Sequence, residues 1–213
     1  MKLYSYVVAR DYGFAPNPFH GVCTLGTCKP IIRKTAQIDD WVIGTGAKSI
    51  YNFQGRLVFA MKVEESLTFD QYWSDPRFLL KRPVLNGSIQ QMYGDNIYRK
   101  IDGDWVQINS HHSLPDGSPN PNNIRNDTQT NRVLLAKHFV YYGNKAPVIP
   151  ERFRYYGDSA IDICALRGHK CNFPADLVVD FVEWLEDQEE WGLQGLPWEF
   201  TSHLKDSNIE LEF

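Results

Sequence analysis

With 213 residues, 43% of them hydrophobic and 23% charged, the chain has enough apolar side chain to bury a substantial core, and the composition argues against disorder over most of it. The formal net charge of -4 conceals an uneven distribution: eight basic against three acidic residues over 1–62, thirteen against twelve over 63–171, and one against eleven over 172–213. The first stretch could meet phosphate, whereas the last would repel a nucleic acid lying across it; equally, the two stretches can be solvated faces with no partner.

Lys2 to Ala9, rich in Tyr and Val, predicts a first strand. Asp11 to Phe19 holds Gly13, Pro16 and Pro18, which exclude a regular ladder, so it reads as a loop, and an aromatic one. Trp41 to Thr45 and Leu57 to Val63 predict a hairpin pair, the second strand placing Leu57, Phe59, Met61 and Val63 on one face, with Asn52 to Gly55 as its turn. Thr68 to Trp73 predicts a short helix capped by Thr68 and stopped at Asp75-Pro76, because the residue before a proline avoids helical geometry. Strands follow at Ile97 to Arg99, Trp105 to Ile108 and Val133 to Tyr142. Between the last two, His111 to Asn123 reads as loop from its density of Pro, Gly, Asn and Ser. Pro174 to Glu190 is the strongest helix: proline suits the first turn, Asp176 the positive end of the dipole, and Leu177, Val178, Phe181, Val182 and Leu185 recur at helical spacing. A closing edge strand is expected at Ile209 to Phe213.

The resulting expectation is one domain over 1–213. It has a core over 1–155 that carries an inserted loop at 110–130, followed by an acidic helix and tail over 156–213. The N-terminus lacks the basic and long apolar regions of a signal peptide and no apolar run is long enough to span a bilayer, so a cytoplasmic location and no membrane partner are expected.

A base held in a pocket needs an aromatic plane to stack on, amide or carboxylate groups for its edge and a cation for its phosphate. The sequence offers Phe14, Asn17 and Phe19 in the first loop, Trp41 and Thr45 on a strand, Lys48 and Tyr51 after it, and Tyr93, Asp95 and Asn96 in the middle, with Lys29, Arg33 and Lys34 as phosphate contacts. Plainer roles exist for each alone, Phe19 and Trp41 as core rings and Asp95-Asn96 as a turn. For catalysis the candidates are His111 and His112, with Asp95, Asp116 or Asp127 as orienting carboxylate and Cys23 or Ser110 as nucleophile. Adjacent histidines in such a loop also fit exposed groups bonded to backbone.

Cys23, Cys28, Cys164 and Cys171 are too few for a disulfide scaffold. A zinc site drawn from both pairs with His169 is conceivable, but the pairs depart from zinc-knuckle spacing, so free thiols are preferred and no metal or other cofactor is assigned. Neither a Walker loop nor an H-x-E with a partnered cysteine pair occurs, which disfavours P-loop and deaminase chemistry.

Lys29-Pro30-Ile31-Ile32-Arg33, then Asp40-Trp41-Val42-Ile43-Gly44-Thr45-Gly46, then Tyr93-Gly94-Asp95-Asn96-Ile97-Tyr98, then Val133-Leu134-Leu135 and Phe139-Val140-Tyr141-Tyr142-Gly143 with Pro147 and Pro150 together resemble the second of the nucleotide-modification-associated domain families. That resemblance implies a link to nucleic-acid base modification, with a phage or bacterial setting, and brings no established catalytic residue. Residues 29 to 75 are similar to the start of PUA-like domains of the EVE and ASCH groups, which are small barrels holding a base. The fold class implied is therefore α+β, a PUA-like β-barrel or strongly curved mixed sheet with peripheral helices, although the insert-rich stretch from 76 to 130 departs from that barrel.

Three functions stay open: a module that binds a modified base on a nucleotide or nucleic acid, an enzyme of base modification using the His111-His112 loop, and an interaction protein whose acidic helix, through Asp180, Glu183, Asp187 and Glu190, meets a basic partner.

Overall fold

The computed structural model describes residues 1–49 and 53–205, with side chains up to 201. In chain order the elements are β1 (Leu3–Val8), β2 (Cys23–Leu25), α1 (Pro30–Thr35), β3 (Trp41–Gly46), β4 (Leu57–Lys62), β5 (Glu65–Leu67), α2 (Phe69–Ser74), α3 (Ile89–Met92), β6 (Tyr98–Ile101) and β7 (Asp104–Gln107). They continue as α4 (Pro121–Asp127), β8 (Val133–Ala136), β9 (Phe139–Tyr141), β10 (His169–Lys170), α5 (Ala175–Glu186), β11 (Gly192–Leu193) and α6 (Trp198–Lys205). The chain forms two compact units, the first from Met1–Tyr12, Asp39–Lys62 and His138–Phe213, the second from Gly13–Ile38 and Val63–Lys137. Among the described residues no helix is long and apolar enough to cross a membrane.

The first unit is built on a six-stranded mixed sheet in the order β10-β1-β3-β4-β9-β11. β1 runs parallel to β3, with Leu3 opposite Trp41 and Val8 opposite Gly46, and β3 pairs antiparallel with β4 as the hairpin reading expects. These strands are almost wholly buried, so their apolar runs need no alternation. Two glycines in β3 make room for neighbours: a Cβ on Gly46 would lie 1.9 Å from the Phe53 carbonyl oxygen, and one on Gly44 would lie 2.3 Å from the Phe59 ring. Helix α5 buries Leu177, Val178, Phe181 and Leu185, and the Phe181 ring meets Phe153 edge-on at 5.3 Å. Its acidic residues Asp180, Glu183, Glu186 and Asp187 face solvent. The sheet ends on two-residue strands at both edges and does not close on itself, so the α+β mixed sheet is present and the closed barrel is not.

The second unit carries a three-stranded sheet ordered β2-β8-β5 and the two-stranded hairpin β6-β7. Helix α2 has the predicted cap: the Thr68 side chain accepts from the Gln71 backbone N–H while the Gln71 side chain accepts from that of Thr68. The segment resembling PUA-like domains divides here, β3 and β4 lying in the six-stranded sheet and β5 in the three-stranded one.

Two expectations are corrected. Val133 to Tyr142 is two strands rather than one: β8 pairs with β2 and β5, then β9 pairs with β4, and the chain changes sheet at Lys137-His138 where the Lys137 N–H bonds the Glu64 carboxylate instead of a ladder partner. The last three residues of the expected loop at 111–123 are helical, because Asn120 caps the backbone N–H groups of Asn122 and Asn123 and Pro121 takes the first helical position. Tyr51 and the expected strand at Ile209 to Phe213 lie outside the described residues.

Candidate active site

Within the second unit, three short elements bring one thiol, one imidazole and one carboxylate together. Strand β2 runs through Gly26 and Thr27 into a sharp turn, and Pro30 opens α1 directly after it. At the turn Cys28 has φ 55° and Lys29 φ 42°, left-handed backbone that costs energy for residues with a Cβ. A side chain carried on a strained strand-to-helix turn is set off from both flanking elements.

The turn is fixed from two sides. The Cys28 N–H donates to Asp127 Oδ1 at 2.8 Å, and the carbonyl of Cys28 accepts from Arg33 Nε at 2.8 Å. Arg33, 0% exposed, directs its remaining donors to the carbonyls of Asp127, Thr130 and Arg132, tying the Cys28 turn to the end of α4. Burial pulls its guanidinium down to about 10, still charged at neutral pH. Arg33 is therefore occupied as a clamp rather than presented to phosphate.

His112 lies against the sulfur, Nε2 to Sγ 3.7 Å, while its Nδ1 is 2.8 Å from Asp127 Oδ2. Burial alone would lower the imidazole, but Asp127 and the Cys28 sulfur outweigh it and hold His112 at about 9. Asp127 is fully buried and also accepts the Tyr98 hydroxyl at 2.9 Å. Burial and the neighbouring Asp127 push the Tyr98 phenol upward, so it stays a donor. The His112 carbonyl accepts from Asn123 Nδ2 at 2.7 Å and Gln107 Nε2 at 3.3 Å, and the Gln107 amide also bonds Tyr98, so α4 and β7 hold the ring in place. Thiol, imidazole and carboxylate thus form a linear hydrogen-bonded series, Cys28 Sγ to His112 to Asp127.

Around this relay the rings of Phe14, His111 and Tyr93 gather: Phe14 is 4.6 Å from His112 and 5.3 Å from His111, and Tyr93 is 5.0 Å from His111. Phe14 is buried, Tyr93 half-buried and His111 exposed, giving one wet edge. The same unit stacks cations on indoles. Arg82 lies 4.0 Å and Arg99 4.7 Å from the centre of Trp73, and Lys100 lies 4.8 Å from that of Trp105. Strand β6 links the two regions, since Tyr98 reaches Asp127 while Arg99 and Lys100 follow it.

The other predicted residues fall elsewhere. Asn17, Asp95 and Asn96 are each 1% exposed and bonded internally. Asp95 accepts from Thr24 and Tyr72 at 2.7 Å each, the Asn96 amide donates to the carbonyls of Tyr72 and Phe78, and Asn17 accepts from Lys81 at 2.8 Å. Phe19 is a core ring. Lys34 is exposed and Lys29 half-buried, its ammonium lowered by burial. Trp41, Thr45 and Lys48 belong to the first unit, where Trp41 is buried against His138 and Trp191, Thr45 is buried and Lys48 is exposed. Cys23 is fully buried, and burial pushes its thiol up to about 12, away from the thiolate form that attack requires. Ser110 is buried beside the loop backbone, and Asp116 is exposed and turned to Ser118. Of the catalytic candidates, His112 and Asp127 meet. Sequence reasoning considers Cys28 only as a conceivable zinc ligand with the other cysteines and misses its meeting with His112, for which the available signal is a cysteine between a short apolar strand and a proline-led helix.

Among the described residues, Cys28, His112 and Asp127 are also the group of three whose ligand atoms lie close enough for a metal ion, within 4.8 Å of one another. Comparison with curated proteins and with solved structures gives no match. Comparison with protein families matches residues 1–204 to nucleotide modification associated domain 2, nearly the whole chain. The chain belongs to the nucleotide modification associated domain 2 family.

Proposed function

We propose that this protein is a thiol-dependent enzyme of nucleotide or nucleic-acid modification, in which Cys28 attacks an electrophilic carbon of a base or of a group carried on it. The Cys28–His112–Asp127 relay carries the reading. At neutral pH His112, held at about 9, already carries the relay's proton on Nε2 beside the sulfur. As the sulfur–carbon bond forms, the π pair of the attacked C=O or C=N moves onto its heteroatom, and His112 gives that proton to the heteroatom or leaving group. Asp127 stays charged and keeps Nδ1 protonated, so that Nε2 is the nitrogen that faces the sulfur.

Two further observations support the substrate class. The exposed His111 and half-buried Tyr93, backed by the buried Phe14, offer ring surfaces next to His112 for a planar base, including a modified one, and the guanidinium and ammonium groups on Trp73 and Trp105 suit a phosphate backbone. A module that binds such a base without turnover would use the same rings but give the relay no role.

The test incubates the metal-free protein with free nucleotides and short single-stranded oligonucleotides, with and without modified bases, and records intact masses of protein and ligand. A protein adduct or altered ligand that Cys28→Ser abolishes without loss of fold is the expected result. Ligand-dependent thermal stabilisation with every mass unchanged would replace the enzyme by the binding module.

A further inference from the structure

The atoms that make the relay also form half of a soft metal site. Zinc takes sulfur at about 2.3 Å and imidazole nitrogen at about 2.0–2.1 Å, which at a tetrahedral angle puts the two donors about 3.5–3.6 Å apart. Cys28 Sγ and His112 Nε2 lie 3.7 Å apart, so an ion would be accommodated with almost no movement of either side chain. The orientation is also that of a zinc ligand: Nδ1 bonds the Asp127 carboxylate at 2.8 Å and leaves Nε2 to point at the metal position, the carboxylate–histidine–metal arrangement. Asp127 itself is a poor third ligand. Its Oδ1 holds the Cys28 N–H and its Oδ2 holds both Tyr98 and His112, so direct coordination would break bonds that keep the turn in place.

We infer that Zn²⁺ binds across Cys28 Sγ and His112 Nε2 and reversibly silences the thiol, with water completing the tetrahedron and Asp127 remaining behind the imidazole. Two protein ligands make this a regulatory or inhibitory site rather than a structural one, since closed structural zinc sites use four. The pair is accessible enough for exchange, as Cys28 is half-buried and the His112 side chain is 14% exposed. The other thiols differ: Cys23 and Cys164 are buried, and Cys171 lies in the first unit, 3.8 Å from the Asn172 amide oxygen. The inference rests on the thiol reading only through the shared atoms. Occupying Nε2 and Sγ together removes proton donor and nucleophile in one step.

The reduced, metal-free protein is titrated with Co²⁺ and then Zn²⁺, and Cys28 alkylation by iodoacetamide is followed by peptide mass. The expected result is a thiolate-to-cobalt charge-transfer absorption with the visible bands of four-coordinate cobalt, lost on zinc addition. Zinc should slow Cys28 alkylation at least tenfold, and a chelator should restore it. The cobalt charge-transfer band should vanish in Cys28→Ser, and both the band and zinc protection of Cys28 should weaken at least tenfold in His112→Gln. Cobalt absorption that persists in Cys28→Ser, or alkylation that zinc leaves unchanged, would overturn the inference. The two proposals fail separately: substrate adducts without zinc protection leave catalysis standing and remove this site, whereas zinc protection without adducts does the reverse.

Discussion

His112 and Lys81 show how a single buried charge gains a measurable pH signature. The imidazole is held at about 9, above its ordinary 6.5, so the folded state binds more protons than the unfolded state across that window. The stabilisation is fully present below pH 6.5 and is lost as pH rises through 9. The stability advantage of the wild type over His112→Gln should therefore shrink by roughly 1–3 kcal/mol between about pH 6 and about pH 9.5 in denaturant melts, and a constant difference would refute the His112–Asp127 pairing. Lys81 is 1% exposed, and burial pulls it down to about 8, while its ammonium donates to Asn17, to the Val22 carbonyl and to Thr24 near the buried Asp95. Lys81→Met would leave those acceptors and the Asp95 charge uncompensated, and we expect a loss of about 2–4 kcal/mol in urea unfolding. This polar cluster occupies Asn17, Asp95 and Asn96, three residues that the sequence offers to a ligand. Residue identity alone cannot separate a polar group aimed at a base from one bonded inside the core.

At the scale of elements, what local chemistry dictates was legible. Thr68 and Gln71 form the predicted capping box, and Thr68→Ala should cost about 1 kcal/mol in thermal or chemical unfolding, whereas a change within 0.3 kcal/mol would show that α2 is held by packing alone. The β3-β4 hairpin and α5 followed from apolar periodicity in the same way. Illegible features depend on distance along the chain. The polar pair Lys137-His138 interrupts the apolar run of Val133 to Tyr142 where the chain passes between sheets, but a polar pair within one continuous strand would read the same, so the break could not be told from the pattern alone. The candidate site joins Cys28 to a histidine 84 residues on and to a carboxylate 99 residues on, and only His112 and Asp127 were singled out beforehand. Gly46 gives a further test. The Phe53 carbonyl fills the place of its missing Cβ, so Gly46→Ala should lower the melting temperature by several degrees, and an unchanged midpoint would contradict that close approach.

Over the whole molecule, charge separates by unit: eleven basic and nine acidic residues in the second against eleven and seventeen in the first. A nucleic acid recruited to the second unit should bind with strong salt dependence. In anisotropy titrations with a labelled single strand, replacing Arg99 and Lys100 with Gln should lower the slope of log affinity against log salt by about 1–2, and an unchanged slope would place the strand elsewhere. The three bonds that converge on Asp127 have a consequence for variation across the entire chain. Its carboxylate serves the Cys28 turn, the Tyr98 hydroxyl and the His112 ring at once, so removing it lowers the amount of folded protein as well as its chemistry. The Cys28 sulfur contacts His112 and carries no comparable share of the packing. If the proposed chemistry holds, a saturation library scored separately for cellular abundance and for activity would show position 127 falling in both scores and position 28 in activity alone, so the thiol would let genetics separate what the protein does from whether it exists.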